Sequence, residues 1–238
     1  MRIKKLGKSY KKKTNLIEYS LIEESSEYNS DTENVDDIIN KIINRTKYLE
    51  KIVSDEEKDF YNDCKKYGVT YIPSVLPNKD RIIVIGDIHG DYIVAIKMLK
   101  AANLIDDNEN WIGGNTYVVQ VGDQLDRCRP QGIYPCNHEL GTDNDEASDI
   151  RILKLFTKLD IEASKMNGRV ISLLGNHELM NAQGHLGYVS YMGLQEFENY
   201  KDPQNPKKKF KSGEDARRYA FQPGKEYGEF LGCTRLGS

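Results

Sequence analysis

Three short polar motifs decide how this sequence is interpreted: GDIHG at residues 86–90, GDQLDR at 122–127 and GNHE at 175–178. Each motif follows directly on a short apolar run, and these runs are IIVI at 82–85, YVVQV at 117–121 and VISLL at 170–174. Apolar, largely β-branched runs that are bounded by glycine are typical of the buried strands of a parallel sheet. The sequence therefore predicts three parallel strands, each of which ends in a polar loop.

The three polar loops are expected to meet at one edge of this sheet. In open α/β sheets, binding sites are built at the edge where the strands have their carboxyl ends. The loops carry two aspartates, two histidines, an asparagine and an arginine: Asp87, His89, Asp123, Asn176, His177 and Arg127. Carboxylate, imidazole and amide groups bind divalent metals, and an arginine can hold an anion. The pattern favours a metal site with an anionic ligand.

The motifs match the signature GDxHG, GDxxDR and GNHE, and the chain therefore resembles the metal-dependent phosphoesterases of the phosphoprotein phosphatase superfamily. The form GDQLDR with a long insert after it is more similar to the bacterial-like or Shewanella-like branch than to the eukaryotic Ser/Thr phosphatases. The resemblance extends from about Asp80 to the C-terminus, and three motifs in order make it specific. It implies an α/β fold, the calcineurin-like metallophosphoesterase sandwich, of which the first βαβαβ parallel-sheet half is present here.

The resemblance also implies a metal-binding role for four motif residues. Asp87 and His89 would bind a first divalent ion, Asp123 would bridge two ions, and Asn176 would bind the second. Manganese, iron, zinc and magnesium are all compatible with these ligands. The alternative for the two aspartates is capping of a helix N-terminus, which is a common role of aspartate. Capping alone leaves the presence of His89 and Asn176 unexplained.

By the same resemblance, His177 is the general acid that protonates the leaving oxygen, and Asp126 is its acidic partner. Arg127 would bind two phosphoryl oxygens with its planar guanidinium group. The implied reaction is in-line attack of a metal-activated water on a phosphate monoester. The alternatives are a surface ion pair for Arg127 and a hydrogen-bonded loop histidine for His177. Glu178 and Asp91 are expected to orient their neighbours.

The segment after the second motif departs from the family pattern. Cys128 stands where the family has glycine, and it begins an insert that reaches Asp145 and contains Cys136 and His138. These residues point to a metal site or a redox switch, but a structural zinc site normally has four ligands at closer spacing. The favoured interpretation is an ordered surface loop near the active edge that shapes substrate access.

The histidines are a second departure. The sequence has four, at positions 89, 138, 177 and 185, whereas the family takes two further histidines for its second metal from downstream strands. His185 follows His177 by only eight residues, which is too close for it to lie on such a strand. The chain therefore looks like the N-terminal part of such an enzyme, truncated at its C-terminus. The second sheet, two metal ligands and a second phosphate-binding arginine are expected to be missing.

Composition limits the other classes of function. The 238 residues are 38% hydrophobic and 30% charged, and the formal net charge is −3, which gives no reason to expect nucleic-acid binding. The chain has no apolar run of about 18 residues, and no apolar stretch follows the N-terminal lysines, so neither a membrane span nor a signal peptide is predicted. Four scattered cysteines indicate a reducing compartment and hence a cytoplasmic protein. The basic N-terminus is also compatible with nuclear localisation.

The chain is predicted to have three parts. Residues 1–34 are expected to form a disordered basic and polar tail, residues 35–78 a helical extension, and residues 79–238 the N-terminal part of the metallophosphoesterase domain. Helices are also predicted between the strands, near 92–102 and 146–166.

The helical extension is predicted to contain two helices. Apolar residues recur at three- and four-residue steps from Val35 to Val53, which is typical of one helical face. A capping box from Ser54 to Glu57 then predicts a second helix that stops at Gly68. This helical pair, at 35–67, is expected to pack on the domain or to bind a partner.

Three functions remain open at this point. The first is hydrolysis of phosphate monoesters as a Ser/Thr protein phosphatase, and the second is hydrolysis of small phosphoesters or dinucleoside polyphosphates. The third is an inactive, truncated fragment that acts as a binding module. A Rossmann domain fits poorly, because GDIHG lacks the G-x-G-x-x-G spacing and its histidine would crowd a pyrophosphate. A phosphorylated protein or a small phosphoester is therefore the expected substrate.

Overall fold

The structure, a computed structural model, describes residues 35–73, 75–130 and 132–237. The predicted tail at 1–34 lies outside the described residues. The described chain divides into two units: one within Met1–Lys66 together with Tyr71–Leu76, and one made of Tyr67–Thr70 and Pro77–Ser238. Among the described residues, none of the helices is both long enough and apolar enough to cross a membrane.

One long helix makes up most of the described part of the first unit. Helix α1 runs over Val35–Cys64 and continues into a 3-10 turn at Lys65–Tyr67. The prediction of two helices with a break at Ser54 is wrong, because the helix is continuous there. A serine caps a helix only where the chain enters it from a non-helical conformation, and here the preceding turns are already helical. An ion pair at 3.9 Å between Lys58 and Asp55 bridges this same turn.

A three-stranded parallel sheet is the framework of the second unit. Strands β1 (Ile82–Ile85), β2 (Tyr117–Gln120) and β3 (Arg169–Ser172) lie side by side in the order β1-β2-β3. Helix α2 (Tyr92–Ala101) connects the first two strands, and helix α3 (Asp149–Ser164) precedes the third. The predicted α/β fold with a βαβαβ parallel sheet is confirmed, and the observed bounds differ from the predicted ones by only a few residues.

The main apolar core lies on one face of the sheet. The paired residues Ile83, Val118 and Val170 share this face, where they belong to a core cluster with side chains of α2 and α3. Each large aliphatic side chain buried in this way contributes about 1.5–3 kcal/mol. On the opposite face of β1, Ile82 and Val84 are 58% and 67% exposed. The core therefore anchors the strands from one side, and the opposite face of β1 is exposed.

Four short helices follow β3, and the sequence analysis predicted none of them: α4 (Asn176–Ala182), α5 (Tyr191–Gln195), α6 (Gly213–Ala220) and α7 (Glu226–Thr234). A second apolar cluster joins this region to the second motif, with Leu125, Phe197, Phe221 and Leu231 among its buried members. The region therefore packs beneath the polar loops.

The chain returns to the sheet after α7. Leu236 forms a parallel bridge with Leu173 just beyond β3. Its backbone N–H donates to the carbonyl oxygen of Ser172 at 2.9 Å, and its carbonyl oxygen accepts from the N–H of Leu174 at 2.8 Å. These two bonds occupy the outer edge of the sheet next to the third polar loop.

Candidate metal centre and histidine–aspartate dyad

The polar loops leave the three strands with unusual backbone geometry. His89, Asp123 and Asp126 have positive φ angles of 47°, 54° and 68°. Non-glycine residues adopt this left-handed region at a cost in energy, so it persists only where the surroundings impose it. Such conformations cluster at functional sites, and here they occur in two of the three motif loops.

Glycines allow the loops to touch through their backbones. A Cβ atom on Gly122 would lie 2.5 Å from the backbone nitrogen of Gly175, and a Cβ atom on Gly175 would collide with the backbone nitrogen of Asp123. The first loop joins them, because the N–H groups of Ile88 and His89 both donate to the carbonyl oxygen of Asp123 at 3.0 Å. The three loops therefore form one closely packed backbone unit.

Glu178 fastens the second loop to the third. Its buried carboxylate accepts four hydrogen bonds of 2.8–3.2 Å, from the backbone N–H groups of Asp123, Gln124, Leu125 and Gly175. Four donors satisfy the oxygens of this carboxylate, which is fully buried. Glu178 therefore orients the loop that carries Asp123.

Three potential metal ligands converge where the loops meet. Ligand atoms of His89, Asp123 and His177 all lie within 4.8 Å of one another. Nδ1 of His89 lies 3.2 Å from the carbonyl oxygen of Leu125, and its Nε2 lies 3.5 Å from Oδ2 of Asp87. A histidine whose Nδ1 is held by a carbonyl presents Nε2 as a ligand, which is the usual arrangement at metal sites.

Asn176 completes the oxygen donors of this cluster. Its side-chain amide lies against the carboxylate of Asp123, and in the orientation that satisfies both groups the amide nitrogen donates to Oδ2 of Asp123 at 2.9 Å. The carboxylate, imidazole and amide groups of Asp87, His89, Asp123 and Asn176 are of the types that bind a divalent metal ion.

A buried dyad lies beside these ligands. Nδ1 of His177 is 2.9 Å from Oδ2 of Asp126. The hydrogen bond to Asp126 raises the pKa of His177, whereas burial lowers the pKa of His89. The two imidazole rings are 4.8 Å apart in an edge-to-face arrangement. The pKa values of these two neighbouring histidines are therefore shifted in opposite directions. A lowered pKa favours a neutral imidazole that can bind a metal at His89, and a raised pKa favours a proton donor at His177.

The dyad rests on residues that the sequence analysis missed. Nη2 of Arg217 lies 3.1 Å from Oδ1 of Asp126 and 2.7 Å from Oδ2 of Asp149. Asn181 accepts from Nε of Arg217 at 2.9 Å and donates from Nδ2 to both carboxylate oxygens of Asp126 at 2.9 Å. The Arg217 and Asp126 side chains are 0% exposed. A fully buried guanidinium thus balances two carboxylates behind His177.

Of these supporting residues, only Asn181 could have been found from the spacing of residues in the sequence. Asn181 follows His177 by four residues on α4, so the two side chains share one face of that helix. Arg217 is 91 residues away from Asp126 along the chain, and no local pattern predicts that contact.

Arg127 is directed towards acidic neighbours. Its Nη1 donates to the carbonyl oxygen of Gly90 at 3.0 Å and to Oε1 of Glu146 at 3.1 Å, and its Nη2 is 3.3 Å from Oδ2 of Asp91. These contacts link the first motif to the end of the insert. Phosphate binding by Arg127 stays a prediction.

The insert contains a disulfide bond between Cys128 and Cys136, whose Cα atoms are 5.6 Å apart. The expectation of reduced cysteines is therefore wrong for this pair, and so is the alternative of a metal site that uses their thiolates. The eight-residue separation did not reveal that the chain turns back on itself here. His138 stacks on Tyr134 at 4.4 Å instead of facing the sulfurs.

Comparison with known proteins adds independent information. Residues 80–232 match the sequence profile of the family described as calcineurin-like phosphoesterase. Shewanella-like protein phosphatase 2 of Arabidopsis thaliana is 37% identical over 123 residues, which are 52% of this chain and 27% of that protein. Shewanella-like protein phosphatase 1 of Plasmodium berghei (strain Anka) is 40% identical over 118 residues, which are 49% and 27% of the two chains.

The matched region thus spans 27% of the length of each of these two curated relatives, and their names confirm the predicted Shewanella-like branch. Among solved structures, the cold-active protein-tyrosine phosphatase of a psychrophile Shewanella sp. superposes with a TM-score of 0.49 at 22% identity, covering 72% of this chain and 43% of that one.

Proposed function

Because this chain belongs to the calcineurin-like phosphoesterase family, we propose that it is a metal-dependent hydrolase of phosphate monoesters. The observation that carries the proposal is the pairing of a metal-ligand cluster with a buried histidine–aspartate dyad at one edge of the sheet. Divalent ions at such a site supply a water nucleophile at neutral pH and neutralise charge on the phosphoryl oxygens.

We propose two ions, of manganese, iron, zinc or magnesium, with ligands from all three loops. Asp87 and His89 would hold the first ion, Asn176 would hold the second, and Asp123 would serve both. The convergence of His89 and Asp123 supports this assignment, as does the position of the Asn176 amide next to the Asp123 carboxylate. These nitrogen and oxygen donors suit all four metals.

His177 acts as the general acid in this proposal. Asp126 engages Nδ1 of His177, so Nε2 is the atom that donates a proton to the leaving oxygen. The pKa of His177 is raised by its hydrogen bond to Asp126, which favours the protonated form that can donate. Asn181 and Arg217 hold the Asp126 carboxylate in the orientation that this transfer requires.

Phosphoserine and phosphothreonine in proteins are the substrates that we propose. The relatives from Arabidopsis thaliana and Plasmodium berghei are named protein phosphatases, and their similarity to this chain supports the proposal. Hydrolysis of small phosphoesters or dinucleoside polyphosphates is the alternative. Comparing turnover of phosphopeptides with turnover of nucleotides, at matched concentrations, decides between them.

The first test is hydrolysis of an aryl phosphate by the purified chain with added Mn²⁺. Asp87→Asn and His177→Ala should abolish turnover, and Asp107→Asn is the matched control because Asp107 is an exposed carboxylate paired with Lys100. Turnover in the wild type and in the control alone supports the proposal. A wild type that is folded and binds Mn²⁺ but releases no phosphate contradicts it and leaves a metal-binding module.

A further inference from the structure

We propose that Arg129 binds the phosphoryl group of the substrate at this site and that the Cys128–Cys136 disulfide holds Arg129 in place. The proposal rests on the phosphatase function proposed above and adds a residue outside the three motifs. It also gives the insert a role in substrate binding.

The side chain of Arg129 folds back over the dyad loop. Its Nη1 donates to the carbonyl oxygen of Asp126 at 3.1 Å and to that of Cys128 at 2.8 Å. The guanidinium therefore lies beside Asp126, whose carboxylate is 2.9 Å from Nδ1 of His177.

The charges around the two arginines differ. Arg127 has the carboxylates of Asp91 and Glu146 as partners, whereas no carboxylate in the described part of the chain pairs with Arg129, whose side chain is exposed. An exposed guanidinium that is not paired with a carboxylate can bind an external anion. A phosphoryl group supplies that anion, and its oxygens match the planar fork of a guanidinium.

The disulfide fixes the backbone from which Arg129 projects. Cys128 is buried, its sulfur is bonded to Cys136, and its N–H donates to the carbonyl oxygen of Tyr188 at 3.1 Å. The ring of Tyr188 packs against the ring of His177, with centroids 5.1 Å apart. Because Cys128 is anchored, the backbone of the adjacent Arg129 is restrained, and the arginine side chain loses less conformational entropy when it binds a ligand. The disulfide thus preorganises Arg129 against the dyad.

The test is calorimetric titration of the full chain with inorganic phosphate in the presence of Mn²⁺. Arg129→Gln should weaken phosphate binding about 10-fold to 100-fold, which is the effect of losing a charge-assisted hydrogen-bonding pair. Arg129→Lys should restore part of the affinity, because lysine keeps the charge without the fork. The control is Arg151→Gln, since Arg151 is exposed and pairs with Glu109, and it should bind phosphate as the wild type does.

The disulfide is tested in the same titration. Cys136→Ser should weaken phosphate binding in the wild-type background and have little effect in the Arg129→Gln background. Equal effects in both backgrounds, or none in either, overturn the role of the disulfide. Arg129→Gln protein that binds Mn²⁺ and phosphate as the wild type does overturns the role of Arg129, and so does a wild type that binds Mn²⁺ but no phosphate.

Hydrolysis of an aryl phosphate, measured in parallel, separates this proposal from the proposed function. Phosphate binding that depends on Arg129, in a chain without turnover, supports the binding site and contradicts the phosphatase function. Turnover with the same KM in the wild type and in Arg129→Gln supports the phosphatase function and contradicts the role of Arg129.

Discussion

Replacing Arg217 by methionine should destabilise the α/β unit by about 3–5 kcal/mol, the usual cost of removing one partner from a buried ion pair. Its guanidinium contacts Asp126 and Asp149, and all three side chains are almost completely buried. Methionine fills similar space but leaves the two carboxylates without a cation. The upper part of the range is expected, because one guanidinium serves both acids.

The loss of stability should also depend on pH. Burial raises the pKa of Asp149, and Arg217 opposes that rise. Without Arg217, the pKa of Asp149 rises further, so the folded variant takes up a proton more readily than the unfolded chain does. The deficit of the variant relative to the wild type should therefore grow as pH rises and shrink in acid.

Urea unfolding followed by circular dichroism measures the effect of Arg217→Met. The matched control is Arg218→Met, because Arg218 is more exposed and pairs with Glu214 at 2.7 Å, so it should change stability by less than about 1 kcal/mol. Asp149→Asn in the Arg217→Met background should recover part of the loss, since one uncompensated charge disappears. A loss at pH 7 no larger than that of the control would refute the claim that Arg217 compensates two buried acids.

Three further substitutions test the loops and a buried acid. Glu178→Gln should lower the free energy of unfolding in urea by about 2–3 kcal/mol, because an amide accepts fewer N–H bonds than a carboxylate. It should also weaken Mn²⁺ binding in calorimetry, and unchanged Mn²⁺ affinity argues against a positioning role for Glu178. Gly175→Ala should lower both Tm and Mn²⁺ affinity. The control Gly187→Ala, whose Cβ would meet no atom within 4 Å, should change neither. Equal Tm and equal Mn²⁺ affinity in the two variants would be inconsistent with the close backbone contact at Gly175. Burial raises the pKa of Glu196 to about 7, so the wild type should lose about 2–3 kcal/mol of stability between pH 4.5 and pH 7. Glu196→Gln should remove this dependence of the free energy of unfolding on pH, as measured by urea unfolding at several pH values. An unchanged pH dependence in the variant would contradict the role assigned to Glu196.

The parts of the fold that the sequence predicts are those with strong local signals. β1, β2 and β3 are apolar runs that end in a polar motif, and their pairing follows from the alternation with helices. The positions of His89 and Asp123 at one edge of the sheet follow from that topology. Pattern and topology therefore suffice to place the ligand cluster.

The remaining features depend on contacts between distant parts of the chain. Arg217 reaches Asp126 only because α6 packs beneath the second motif, and helical propensity carries no information about such a contact. The disulfide depends on the path of the insert rather than on cysteine spacing. The predicted helix start at Ser54 is wrong although its local motif is strong. The helix that begins at Val35 continues through Ser54, so the serine does not act as a cap.

The measurement that tests the central claim most directly is the leaving-group dependence of hydrolysis in the wild type and in His177→Ala. With Mn²⁺ present, kcat/KM is measured for 4-nitrophenyl phosphate, whose leaving group needs little protonation, and for a simple alkyl phosphate, whose leaving group needs a proton. If His177 is the general acid, the substitution should reduce kcat/KM far more for the alkyl phosphate. An equal reduction for both substrates, or a wild type that hydrolyses neither, would contradict the account.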